Sequence, residues 1–132
     1  MNYFLDTNIC VDFFRNKNKE LTHKILSLSS NIKISSIVVA ELLHGANKSS
    51  TREKNVRQVE DFLANFEIIS FGFEAAYIYG EIKAKLELTG NIIGPNDLLI
   101  AASVLAENGI LVTNNTREFS RIEGLSLEDW LN

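Results

Sequence analysis

The sequence predicts a three-layer α/β/α domain built on a mainly parallel central sheet. Three observations carry this expectation. Four short runs read as strands, and the first and last are the most apolar, as strands covered on both faces are. The segments between them switch to the 3.6-residue helical period. The chain also shows no repeat, low-complexity stretch or composition shift, so residues 1–132 are expected to form one domain.

The elements follow in order. Tyr3-Phe4-Leu5 is the first strand, and shorter helical segments are expected at residues 8–15, 18–29 and 36–44, around a second strand at 32–35. Val56, Val59, Leu63 and Phe66 form one stripe while Glu53 and Arg57 pair at i,i+4, which gives a helix over residues 51–65. A third strand follows at 67–70. Ala75, Ile78, Ile82 and Leu86 then line a helix that Gly90 closes. The next helix is expected to start at Asn96 as its N-cap, run through Leu99, Ile100 and Val104, and stop at Gly109 before a strand at 110–113.

With 132 residues, 45% hydrophobic and 23% charged, the chain can bury a core without disulfides or structural metals. Its single cysteine, Cys10, lies in the apolar run Ile9-Cys10-Val11 and reads as a buried small hydrophobe. A reducing, cytoplasmic setting fits it best. The longest mainly apolar stretch, residues 98–106, is too short to span a bilayer, so a soluble protein is expected. The net charge of −4 argues against a general nucleic-acid coat protein. Yet residues 1–60 carry net +3 and residues 61–132 net −7, so a basic working surface is compatible with an acidic total.

No P-loop, dinucleotide-binding or nucleophile-elbow signature is present, which removes support for those chemistries. What stands out are acids in apolar surroundings. Asp6 follows the first strand at its carboxyl end, where open α/β sheets place ligand sites, although it could equally cap a helix. Glu41 interrupts Ile37-Val38-Val39-Ala40, so its carboxylate must find a partner, take up a proton or reach past the patch to water. Asp97 opens an apolar helix, where a favourable helix dipole is also sufficient reason for it. If the sheet gathers these acids, their repulsion calls for a cation. An all-oxygen donor set selects a hard ion, Mg²⁺ with Mn²⁺ able to substitute. Such ions support phosphodiester cleavage without a protein nucleophile.

Glu20-Leu-Thr-His23 and Glu41-Leu-Leu-His44 share the E-x-x-H spacing of di-iron helical bundles, but a strand separates them, against a bundle. A phosphoryl-accepting receiver domain needs a second acid near Asp6 and a lysine after a late strand, and Asn114-Asn115 supplies neither.

Four motifs in register, Asp6-Thr7-Asn8, Ala40-Glu41-Leu42 with Gly45, Gly94-Pro95-Asn96-Asp97, and Val112-Thr113-Asn114-Asn115 followed by Arg117-Glu118-Phe119, closely resemble PIN-domain toxins of the VapC type. The resemblance spans essentially the whole chain. It implies a PIN-like fold and a Mg²⁺-dependent endoribonuclease with catalytic acids Asp6, Glu41 and Asp97, the ion resting on Asp6 and Asp97. Many family members carry a fourth acid where this chain has Asn115. Glu118 is the candidate to replace it, and Asn115 could instead orient a metal-bound water. Thr7, Asn8 and Thr113 are candidates to hold the carboxylates in place. Lys48, Arg52, Lys54 and Arg57, with Arg15, Lys17 and Lys19, are candidates to grip RNA, and each could equally be an ordinary solvated charge. Phe73, Tyr77 and Tyr79 read as core or interface residues rather than RNA contacts. The resemblance further implies a homodimer and a VapB-like antitoxin that sets a basic side chain in the acid pocket. Structured RNA, tRNA cut in its anticodon stem-loop, is the implied substrate, leaving 5′-phosphate and 3′-hydroxyl ends. The alternative is a catalytically silent PIN-like module that binds RNA or protein.

Overall fold

In the computed structural model, which describes residues 1–131, the strand Tyr3–Leu5 (β1) occupies the centre of a five-stranded sheet. The remaining strands are Ile32–Ser35 (β2), Glu67–Ile69 (β3), Ile110–Val112 (β4) and Ser126–Glu128 (β5). They lie in the order β3-β2-β1-β4-β5, and every pairing is parallel. Phe4 and Leu5 point to opposite faces of the sheet and both are buried, as are Leu111 and Val112. Both faces are therefore covered by helices, the three-layer arrangement that the apolar strands predict.

The helices are Thr7–Arg15 (α1), Lys19–Ser27 (α2), Ser36–Asn47 (α3), Arg52–Leu63 (α4), Phe73–Leu88 (α5), Pro95–Ala106 (α6) and the single turn Thr116–Phe119 (α7). None is long and apolar enough to cross a membrane. Helix α3 packs on α4, and α5 on α6. Ala75 and Leu86 of the stripe expected on α5 are buried, with Ile78 and Ile82 half-buried beside them. On α4 the buried positions are Val59 and Phe62, so the stripe is rotated slightly from the expected one.

The chain leaves β1, builds outward through β2 and β3, then returns to the other side of β1 for β4 and β5. The order reverses between β1 and β4, and the crevice beyond the carboxyl ends of those strands is where such sheets place ligands.

Several boundaries differ from the sequence expectation. Helix α6 begins at Pro95 with Gly94 as its N-cap, so Asn96 lies inside the first turn and caps nothing. A proline at the first helical position brings its φ already set and has no N–H to leave unpaired, which outweighs the capping preference of asparagine. At the far end of α6, Asn108 takes the left-handed conformation, with φ 52°. The amides of Asn108 and Gly109 bond back to Leu105 and Val104 and close the helix. Gly109 is needed for another reason: a Cβ there would lie 2.6 Å from the Phe4 ring. Gly90, with φ 73°, does close α5 as expected, its amide and that of Asn91 bonding to Glu87 and Leu86. Helix α2 stops at Ser27 and gives way to a 3₁₀ turn at Ser29–Asn31, whereas the expected helix ran to residue 29.

Candidate active site

The acids are assembled by the strand ends. Asp6 directly follows β1 at its carboxyl end and is the N-cap of α1. Its Oδ1 accepts the Thr7 backbone N–H at 2.8 Å, and its Oδ2 accepts the Thr113 hydroxyl at 2.8 Å. Leu5 pairs with Val112 across β1 and β4, and the Asp6 N–H bonds to the Val112 carbonyl, which brings Thr113 alongside Asp6 from 107 positions away. The Thr113 hydroxyl is fully buried and also accepts the Asn115 N–H at 2.9 Å. Burial of Asp6, at 5% exposure, raises its pKa. The Thr113 and Thr7 hydrogen bonds pull it down, and the charges of Glu41 and Glu118 push it up again.

Glu41 is half-buried on α3. Its Oε1 accepts the Thr7 hydroxyl, and its Oε2 accepts the Asn96 side-chain amide at 3.1 Å. The partner that its apolar surroundings demand is thus a pair of neutral donors. Asp97 sits in the first turn of α6 with its pKa pushed up to about 7. Burial is the largest cause, followed by the hydrogen-bonding contact with Glu118 and by the charges of Asp6, Glu118 and Glu41. The helix dipole, which would act the other way, is overcome by this burial together with the neighbouring carboxylates.

Glu118 on α7 completes the group. Its Oε1 accepts the Gly94 N–H at 3.0 Å and its Oε2 the Asn115 side-chain amide at 3.2 Å. The Gly94 bond is the main reason its pKa is lowered, with Asn115, Asp97 and the charge of Arg121 adding to it. Asn115 therefore touches the cluster by holding Glu118. Asn8 is exposed and bonds to none of the four carboxylates among the described residues. Gly94 and Asn96 are contacts that the sequence reading assigns only to the start of a helix. Their adjacency to Asp97 was the available signal.

The electrostatic character follows from what faces these acids. The ion pairs seen among the described residues, Lys33 with Glu67 and Lys85 with Glu123, lie away from these acids. No Lys or Arg neutralises Asp6, Glu41 or Asp97, so the pocket keeps an unbalanced negative charge. Among the described residues, no group of three or more Asp, Glu, His and Cys side chains is drawn together closely enough to hold an ion. A hard cation that retains several waters needs only one or two carboxylates, and this oxygen-only donor set fits that demand. Of the four acids only Asp6 is buried, while Glu41, Asp97 and Glu118 are half-buried. The exposed His23 and His44 lie on different helices, α2 and α3, with β2 between them in the chain, which is not the arrangement of a helical bundle.

The basic residues stand apart. An open cavity of about 1030 Å³ lies not at the acids but at the junction of α3 and α4, lined in part by Arg52, Lys54 and Arg57. Lys48 is exposed at the end of α3 and Arg15 at the end of α1. A groove of about 400 Å³ beside it is lined by Phe13, Phe14 and Phe62. On α5, Phe73, Tyr77 and Leu88 are 86%, 65% and 87% exposed, so the first two are surface residues and not core, while Tyr79 is half-buried. Cys10 is buried, which pushes its thiol pKa up and keeps it protonated.

Comparison with known proteins agrees with this geometry. Residues 3–125 match the PIN domain family. The chain is 47% identical over 133 residues to "Ribonuclease VapC2" of Rickettsia felis, covering 98% of both chains. It is 38% identical over 130 residues to "tRNA(fMet)-specific endonuclease VapC" of Salmonella typhimurium, again covering 98% of both. The fold superposes with a TM-score of 0.92 on the crystal structure of VapBC2 from Rickettsia felis bound to a DNA fragment from its promoter, at 45% identity over 98% of this chain and 99% of that one. A five-stranded parallel sheet with carboxylates gathered at its switch point, matched along nearly its whole length by these proteins, places the chain in the PIN-domain family, among the VapC ribonucleases.

Proposed function

We propose that this chain is the toxin of a type II toxin–antitoxin pair, a Mg²⁺-dependent endoribonuclease that cuts tRNA in its anticodon stem-loop. The observation that carries the reading is the convergence of Asp6, Glu41, Asp97 and Glu118 at the sheet's switch point without a neutralising Lys or Arg at the first three. Asp6 and Asp97 would hold the ion, and Mn²⁺ could replace it. When bound, the ion supplies polarisation of the scissile phosphate and activation of the attacking water. Glu41 and Glu118 would order the attacking water and take up its proton. Thr113, Thr7 and Asn115 keep Asp6, Glu41 and Glu118 in register through the hydrogen bonds described above. Attack by water on phosphorus with departure of the 3′-oxygen would leave 5′-phosphate and 3′-hydroxyl ends, the products that the family resemblance implies.

The Salmonella relative's name supports tRNA as substrate. Lys48, Arg52, Lys54 and Arg15 would contact its phosphates, with Arg52 and Lys54 lining the α3–α4 cavity and Lys48 exposed at the end of α3. The VapBC complexes support a VapB-like partner, and an inserted basic side chain would satisfy the unpaired acids while blocking the ion and the RNA. Exposed Phe73, Tyr77 and Leu88 on α5 support a homodimer. A cytoplasmic location follows from the substrate and suits the free thiol of Cys10.

The test is incubation of antitoxin-free protein with purified total tRNA in Mg²⁺, Mn²⁺ or EDTA, with new 5′ ends mapped. Metal-dependent cuts at one anticodon stem-loop are expected. Cutting that persists in EDTA would overturn the metal dependence, and folded protein that cuts no RNA would favour the silent binding module.

A further inference from the structure

We infer that Asn96 is a positioning residue of the active site, which fixes the orientation of Glu41 relative to the two aspartates. The inference rests on reading the acid cluster as the catalytic centre. Both oxygens of Glu41 are held, and each donor is the immediate chain neighbour of another acid. Thr7, which follows Asp6, donates to Oε1, and Asn96, which precedes Asp97, donates to Oε2 at 3.1 Å. Glu41 is therefore tied to the backbone segments that carry Asp6 and Asp97. The three acids, which lie on α3 and at the starts of α1 and α6, take their spacing from one another.

The helix does not account for the Asn96 side chain. Gly94 is the N-cap of α6, no side chain caps that end, and Asn96 is the second helical residue. Its amide is directed across 55 positions of sequence to Glu41 instead. An amide suits this place because it donates without adding charge. A lysine here would fill the pocket with the cation that the acids otherwise lack, and an aspartate would set a further carboxylate against Glu41.

That contrast supplies the test. Asp is at least as good as Asn near a helix N-terminus. A purely structural role for Asn96 therefore predicts that Asn96→Asp folds and cleaves like wild type. The positioning role predicts that kcat on the mapped RNA falls about tenfold in Asn96→Ala and about a hundredfold in Asn96→Asp, with KM little changed. A second readout needs neither metal nor RNA. In the metal-free protein, the side-chain amide resonance of Asn96 should shift on Glu41→Gln, since its acceptor oxygen is altered or lost. Wild-type rates in both Asn96 variants while Asp97→Asn is inactive would overturn the inference and leave the catalytic reading standing. An Asn96 amide resonance unmoved by Glu41→Gln would also overturn it. Wild-type cleavage by Asp97→Asn would instead overturn the catalytic reading.

Discussion

Thr113→Val removes one hydroxyl from a fully buried site at almost constant volume, and its cost can be worked from two hydrogen bonds. The hydroxyl donates to Asp6 Oδ2 at 2.8 Å and accepts the Asn115 N–H at 2.9 Å. A hydrogen bond to a charged group contributes about 1.5–3 kcal/mol and a neutral one about 1 kcal/mol. Asn115 is half-buried, so water recovers part of the second, and the added methyl returns some of the rest. A net loss of about 2–3 kcal/mol is expected, or a fall in Tm of roughly 6–12 °C for a chain of this size. The loss also depends on pH with a definite sign. The pKa of Asp6 is raised in the folded state, so its contribution is fully present below the unfolded value of 3.8 and fades as pH rises through the folded one. Removing the bond that lowers this pKa lifts it further, which weakens the ionised form and leaves the neutral form nearly untouched. Urea denaturation in EDTA should therefore show a larger difference between wild type and Thr113→Val at pH 8 than at pH 5. A difference below about 0.5 kcal/mol, or one larger at pH 5, would refute the assignment of Thr113 as the support of ionised Asp6.

Three further outcomes are expected. Asp97, with a pKa of about 7 against 3.8 unfolded, stabilises the metal-free fold in acid, and that contribution is lost as pH rises through about 7. Wild-type melting temperature in EDTA should thus fall between pH 5 and 8, while Asp97→Asn should fall less and be more stable at pH 8 by about 1 kcal/mol, allowing for solvent screening at this half-buried site; parallel curves would contradict this. Gly109→Ala forces a Cβ to within 2.6 Å of the buried Phe4 ring and should cost about 1–3 kcal/mol in urea unfolding, whereas a neutral effect would show that the ring has room to move. Replacing both Arg52 and Lys54 by Gln should flatten the dependence of log K for RNA on log salt by roughly 1.4–1.8, measured with the Asp97→Asn protein, and an unchanged slope would remove them from the RNA contact.

The parts of the fold legible in the sequence are those that announce themselves locally. β1, β3 and β4 each contain consecutive apolar residues, and β2 alternates Ile32 and Ile34 with Lys33 and Ser35, so all four are marked locally. β5 holds a single apolar residue, Leu127, between Ser126 and Glu128, and becomes a strand by pairing with β4 at the sheet edge. Its existence is tertiary information. Gly109 illustrates another limit, since a glycine that ends a helix and one that makes room for a neighbouring ring look alike until Phe4 is in place. In the site, Asp6, Glu41 and Asp97 were visible because acids amid apolar residues are conspicuous. Their neighbours were less so. Thr113 reaches Asp6 only through the β1–β4 register, and Asn96 reaches Glu41 only because α3 and α6 meet at the crevice. Local rules favoured a cap for Asn96, and Pro95 had already taken the start of the helix.

The central claim is that these carboxylates act on RNA. The most direct measurement is the single-turnover cleavage rate of the mapped RNA in Mg²⁺ by wild type, Asp6→Asn and Asp97→Asn, each first shown to be folded by its circular dichroism and melting curve. Metal-dependent cutting by wild type and a loss of at least a hundredfold in both variants is the predicted result, in the range that removing a metal-holding or charge-stabilising group produces. Cleavage by either folded variant at the wild-type rate would contradict the account and move the chemistry away from this crevice.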